Sequence, residues 1–128
     1  KSSDFNAHNQ IAVNIFWSSI NTQIRMKAKI TKLPSKYSDD YFLRRNPKKN
    51  ALAISSNQSS IIDSFDEVIE KYHHDLDKRD LKKRPEYWGG YFFIPYEIEF
   101  WEGNENRLNL RKLFVHEDGS WINYLLEP

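Results

Sequence analysis

The sequence predicts an α+β fold, five strands forming an antiparallel sheet or barrel with helices inserted between the second and third. Two observations carry that prediction. Residues 10–17, 23–31, 91–101, 111–117 and 120–126 read as strands, most of them alternating with the period of two of an extended chain, whereas 34–78 turns to helical spacing. The 128 residues, 39% hydrophobic and 15% aromatic, suit a single domain, because two separate cores of about 60 residues each would be marginal.

Taken in order, residues 2–9 form a short polar helix, and 10–17 form a strand with Ile11, Val13, Ile15 and Trp17 on one face and little exposure on either. Residues 23–31 place Ile24, Met26, Ala28 and Ile30 opposite Arg25, Lys27, Lys29 and Thr31, a strand with one wet face. Pro34-Ser35 starts a helix whose apolar stripe is Tyr37, Tyr41 and Phe42, and a second short helix runs from about Lys48 to Ser55. From Asp63, in capping position, Phe65, Val68, Ile69, Tyr72 and Leu76 follow the spacing of an amphipathic helix. Lys78–Arg84 is a basic linker. Trp88-Gly89-Gly90 then opens a long strand, and Glu117-Asp118-Gly119-Ser120 joins the last two as a hairpin in which Gly supplies positive φ.

Composition excludes several functions. The absence of cysteine removes disulfides, zinc–cysteine sites, iron–sulfur clusters and thiol nucleophiles, and suits a reducing, cytoplasmic setting. No run approaches the roughly 20 apolar residues of a membrane span, and the polar first ten residues do not form a signal peptide. A net charge of +1 is too small for a protein that coats nucleic acid. The charge is nevertheless uneven. Residues 18–62 hold nine Lys/Arg against two Asp/Glu, and 63–77 hold one against six. Concentrated positive charge in a neutral protein suits a small anionic ligand.

The four histidines give no metal site, since His73 and His74 are adjacent with only Asp77 at ligand spacing, and no P-loop, G-x-S-x-G or G-x-G-x-x-G occurs. Two basic groups are more suggestive. Arg44, Arg45, Lys48 and Lys49 lie where two helices meet, so that the second helix's first amides and the four cations form a phosphate cradle or, alternatively, an ordinary basic turn. Arg107, Asn109 and Arg111 share one face if the strand alternation extends to Arg107, and would present two planar forks and an amide to a flat polar heterocycle.

The stretch from Arg84 to Arg111, RPEYWGGYFFIPYEIEFWEGNENRLNLR, resembles the C-terminal signature of the pyridoxamine 5′-phosphate oxidase family, R-P-x-x-W-G-G, E-F-W-x-G and R-L-H-D-R in order. Tyr41-Phe42 with Arg45, Gln58-Ser59-Ser60, Gln23 and the closing Leu-x-Pro fall at the family's spacing. The resemblance implies an antiparallel split β-barrel that binds FMN as a homodimer with the flavin at the subunit interface. It implies that Lys1, Gln23, Gln58, Ser59, Trp101 and Arg111 contact FMN. Tyr41, Arg45, Lys49, Arg107 and Asn109 would hold the substrate, Arg107 being the catalytic residue over its pyridine ring. The family oxidises pyridoxamine or pyridoxine 5′-phosphate to pyridoxal 5′-phosphate, with dioxygen as acceptor and hydrogen peroxide as product. Partners would be that small phosphorylated pyridine and O2, with no metal, nucleic acid or membrane.

This chain departs from the pattern at three places. R-L-H-D-R reads Arg107-Leu108-Asn109-Leu110-Arg111, which replaces an ionisable His by an amide and the Asp by Leu, Lys49 stands where the family has Ser, and the proline after Arg45 has become Asn46 with a proline one residue later. The departures keep two alternatives open, a flavin- or vitamer-binding protein without turnover, and an oxidase of a phenazine precursor. The resemblance also implies that family strands precede Lys1, so that the flavin site would be incomplete within these residues alone.

Overall fold

In the computed structural model the described residues are 2–128, and Lys1, expected at the flavin, lies outside them. The chain divides into two compact units, one made of the residues up to Thr31 together with Tyr91–Pro128, the other of Lys32–Gly90.

The first unit opens with α1 (Ser2–Ala7) and contains the sheet. Its strands are β1 (Gln10–Trp17), β2 (Thr22–Lys32), β3 (Tyr91–Glu102), β4 (Leu110–Glu117) and β5 (Ser120–Leu126), ordered β1-β2-β3-β4-β5 in an open antiparallel meander. Ile24, Ala28 and Ile30 are buried on the expected face of β2, and Arg25, Lys27 and Lys29 are exposed. The hairpin forms as expected, with Asp118 at φ 49° and Gly119 at φ 81°, the paired left-handed geometry that matches the twist of the flanking strands. β1 differs from expectation. It is an edge strand, paired only with β2, and its Phe16 and Trp17 are 55% and 52% exposed.

The second unit holds α2 (Ser35–Arg44), α3 (Pro47–Ser55) and α4 (Phe65–Lys78). On α2 the inward positions are Ser38 and Phe42, not the full tyrosine stripe, for Tyr37 and Tyr41 are exposed. α3 starts one residue early because Asn46 caps it, its side chain accepting from the Lys48 amide with Pro47 in the first turn. α4 is capped by Ser64 rather than Asp63. The Ser64 hydroxyl accepts from the Asp66 amide, and Asp66 and Glu67 supply the negative charge of the first turn. The basic run 78–84 is more than a solvated linker. Arg84 is largely buried, with Nε donating to Asp39 (2.6 Å) and Nη1 to the Trp88 and Pro85 carbonyls, while the Leu81 carbonyl accepts from buried Asn50.

Candidate functional site

Three of the residues expected at the flavin form one row across the sheet. Gly103 donates its backbone N–H to the Asn21 carbonyl (2.9 Å), Arg25 pairs with Glu99, and Lys27 pairs with Glu97 (3.0 Å). These three pairs share one antiparallel offset, which sets Gln23 opposite Trp101. In the next strand pair Trp101 faces Arg111. Directly opposed residues lie on the same face of an antiparallel sheet, so Gln23, Trp101 and Arg111 stand side by side on β2, β3 and β4. All three are half-buried.

The neighbouring row explains how Arg111 is held. Its Nε donates to Glu99 Oε1 at 2.7 Å and its Nη1 to the Glu127 carbonyl at 2.9 Å. Arg25 donates to the same Glu99 oxygen from the other side. Burial pushes the Glu99 carboxyl up, but the hydrogen bonds and charges of Arg111 and Arg25 outweigh it and hold the group below the usual carboxylate range. The Glu99 bond raises Arg111 in turn. One carboxylate shared by two guanidiniums leaves an excess positive charge on this face, which suits an anion.

Arg107 and Asn109 are placed otherwise than alternation suggested. β4 begins at Leu110, so both lie in the turn before it. Arg107 is exposed at φ 61°, and Asn109 Oδ1 accepts from the Asn104 amide (3.0 Å). The turn closes on itself, and for that reason the face shared with Arg111 does not extend to Arg107.

In the second unit, Tyr41 and Arg45 converge on Trp88. The Tyr41 and Trp88 rings stack at 6.0 Å and 17°, and the Arg45 guanidinium carbon lies 5.4 Å from the Trp88 centroid. Arg45 Nη1 also donates to the Lys49 carbonyl (3.1 Å) and to Asn50 Oδ1 (3.4 Å). Asn50 is 1% exposed and donates through Nδ2 to the Phe42 and Leu81 carbonyls, both at 2.9 Å. The expected amide cradle at α3 is already engaged. Asn46 takes the Lys48 N–H through its side chain and the Lys49 N–H through its carbonyl, while Arg44 turns back to the Asp40 carbonyl. What this junction offers is therefore side-chain charge, from Lys48 and Lys49, rather than free amides.

Gln58 and Ser59 are the exposed central residues of a turn in which Ser60 donates to the Asn57 carbonyl (3.1 Å), and Ser59 has φ 69°. Of the four non-glycine residues with positive φ among those described, Asn21 and Asp118 serve ordinary turns, and the other two are the candidates Ser59 and Arg107. Such conformations cost of order 1–3 kcal/mol and concentrate at functional sites. Sequence reasoning did not single out Asn50, Glu99 or the ring of Trp88 as supports. The only signal available was Glu99 and Trp88 within motifs, and for Asn50 there was none.

The chain is similar to several known proteins. A family model described as the pyridoxine 5′-phosphate oxidase C-terminal dimerisation region matches residues 88–128. A pyridoxine/pyridoxamine 5′-phosphate oxidase of Leptospira biflexa is 36% identical over 131 aligned residues, covering 100% of this chain and 61% of that protein. One of Haemophilus influenzae is 35% identical, covering 92% and 57%. The chain thus spans about three fifths of the curated relatives it matches. Among solved structures, PhzG from Burkholderia lata 383, in complex with tetrahydrophenazine-1-carboxylic acid, superposes with a TM-score of 0.89 at 21% identity, covering 100% of this chain and 63% of that one. A pyridoxamine 5′-phosphate oxidase-related, FMN-binding protein of Nostoc punctiforme gives a TM-score of 0.68 at 10% identity, over 99% and 67%. Similarity of sequence along the whole chain to these oxidases, together with the split-barrel fold of its structural neighbours, supports the pyridoxine/pyridoxamine 5′-phosphate oxidase-like family.

Proposed function

We propose that the protein is an FMN-dependent oxidase that converts pyridoxamine or pyridoxine 5′-phosphate to pyridoxal 5′-phosphate in the cytoplasm, as a homodimer with the flavin at the interface. The observation that carries this reading is the row Gln23, Trp101 and Arg111 on one face of the sheet. An amide, an indole and a guanidinium that together with Arg25 outweighs the single Glu99 carboxylate fit a flat heterocycle that bears carbonyls and a phosphate. Gln58 and Ser59 would add polar contacts from an exposed turn, and Lys1 belongs to the same assignment. FMN, when bound, supplies the two-electron redox chemistry and passes the electrons to O2, giving hydrogen peroxide. The pyridoxamine route also takes up water and releases ammonia.

The protein's own groups bind and orient the substrate. Tyr41, Arg45 and Lys49 would hold its phosphate, with Arg45 kept extended by Trp88 and Asn50, and Arg107 would lie over the pyridine ring as the catalytic residue. The test is the full-length protein with FMN and pyridoxamine 5′-phosphate. Formation of pyridoxal 5′-phosphate with equimolar peroxide is expected, and the absence of both refutes the reading.

A second reading has its own support. PhzG shares the fold closely, and Asn109 and Leu110 replace the family's His and Asp, so an oxidase of a phenazine precursor is the competing substrate class. Turnover of a dihydrophenazine carboxylate and none of either vitamer phosphate would favour it. A flavin that binds but is not reduced anaerobically by either substrate would leave a binding protein.

A further inference from the structure

We propose that Asn109 is a positioning residue whose side-chain oxygen locks the turn between β3 and β4, so that Arg107 is presented with its guanidinium free. The proposal rests on the reading of Arg107 as a substrate group.

The turn is short, and four of its backbone donors, those of Gly103, Asn104, Asn106 and Arg107, are committed. Gly103 donates to the Asn21 carbonyl (2.9 Å), Asn106 to Asn104 Oδ1 (3.0 Å) and Arg107 to the Asn104 carbonyl (3.0 Å). The Asn104 N–H meets no backbone carbonyl among the described residues. It is taken across the neck of the turn by Asn109 Oδ1 at 3.0 Å, immediately before β4 begins. Asn109 is half-buried although the five residues before it are exposed.

Arg107 sits at the far side of this closure with φ 61°. An arginine cannot offset left-handed backbone by a short local hydrogen bond as Asn or Asp does, so the surrounding turn must hold it there. Its side chain is exposed, with no hydrogen bond or ion pair among the described residues. A constrained backbone carrying an unengaged planar cation is arranged for a ligand that arrives from outside.

The chemistry of Asn109 follows. A backbone N–H can only donate, so the atom facing it is the amide oxygen, which leaves the two Nδ2 N–H donors of Asn109 for a further partner. Beside Arg107 they favour a ligand atom that accepts, such as a ring phenolate or carboxylate oxygen, over one that donates. The amide does not titrate, so the lock holds equally across the neutral range, unlike a histidine at this place.

The test uses the full-length protein with Asn109→Leu and Asn109→Asp, and Asn109→Ala should the leucine variant not fold. Asn109→Leu should speed hydrogen exchange at the Asn104 amide by roughly tenfold. It should also raise KM for pyridoxamine 5′-phosphate by a similar factor while kcat changes little, because bound substrate reselects the ordered turn. Asn109→Asp, which keeps the accepting oxygen, should restore both to within roughly threefold. Unchanged exchange in Asn109→Leu, or an aspartate variant as impaired as the leucine one, overturns the proposal. Faster exchange with unchanged KM would leave the lock standing and remove Arg107 from the substrate.

Discussion

Replacing Asn50 by Ala should destabilise the second unit by roughly 3–5 kcal/mol, and the number can be built from its contacts. Asn50 is 1% exposed and ties the end of α2, the start of α3 and the 78–84 segment together through two 2.9 Å bonds from Nδ2 to the Phe42 and Leu81 carbonyls. An acceptor left unmatched in the interior costs about 1–3 kcal/mol, and the Phe42 carbonyl would keep only the longer bond from the Arg45 amide (3.3 Å). The Leu81 bond is only part-buried, so water recovers some of its share, and the vacated volume adds about 1 kcal/mol. Against a total stability of about 5–15 kcal/mol the loss would be plain in urea denaturation. Asn50→Asp sharpens the test through its pH dependence. A carboxylate would face two carbonyl oxygens, which raises its folded pKa above the ordinary value near 3.9. The variant should therefore weaken as pH rises from about 4, because only the protonated acid can still donate one bond. A loss below about 1 kcal/mol in Asn50→Ala, or an aspartate variant with the pH profile of the wild type, would refute the claim that these two bonds organise the unit.

Three further expectations follow from other contacts. Glu99 titrates below its ordinary 4.5, so its contribution is complete above that value and is lost as pH falls through the lower folded one. Glu99→Gln should flatten the acid limb of the Tm profile between pH 5 and pH 3 and weaken FMN binding measured by fluorescence, and an unchanged limb would count against the shared carboxylate. Arg107→Lys should lower kcat/KM roughly tenfold or more with FMN content unchanged, since a point charge cannot reproduce the planar fork, and equal loss of FMN would refute its placement at the substrate. Gly103→Ala would drive a Cβ into Asn21 Nδ2 and to 2.8 Å from its Cγ, so the whole amide must move. A destabilisation of roughly 1–3 kcal/mol, read from thermal unfolding, is expected, and a neutral result would show that Asn21 yields freely.

Much of the fold was legible because it depends on neighbours in sequence. Period-two alternation marked the first three strands, the turn Glu117–Ser120 marked the last two, and Pro34 and the apolar spacing after Asp63 marked helices to within a residue or two. Where expectation and structure part, the deciding contact is a choice among near-equal local options. Ser64 rather than Asp63 reaches the Asp66 amide, and Phe42 rather than Tyr41 turns inward.

The sequence by itself determined the sheet, the helical insertion, the hairpin at Asp118-Gly119 and the kinds of residue we propose for the flavin and the phosphate. The tertiary structure alone decided which of them stand together. Gln23 lies far from Trp101 and Arg111 in the chain, and their row exists only through the register of two strand pairs. Glu99 holds two arginines because both flanking strands bring one to it, and Asn50 finds Leu81 across 31 positions. Arg107 left the strand face because a turn closed by Asn109 bonds within itself more favourably than as continued strand. Local periodicity fixes an element, whereas register and loop closure depend on partners that no single stretch of sequence contains.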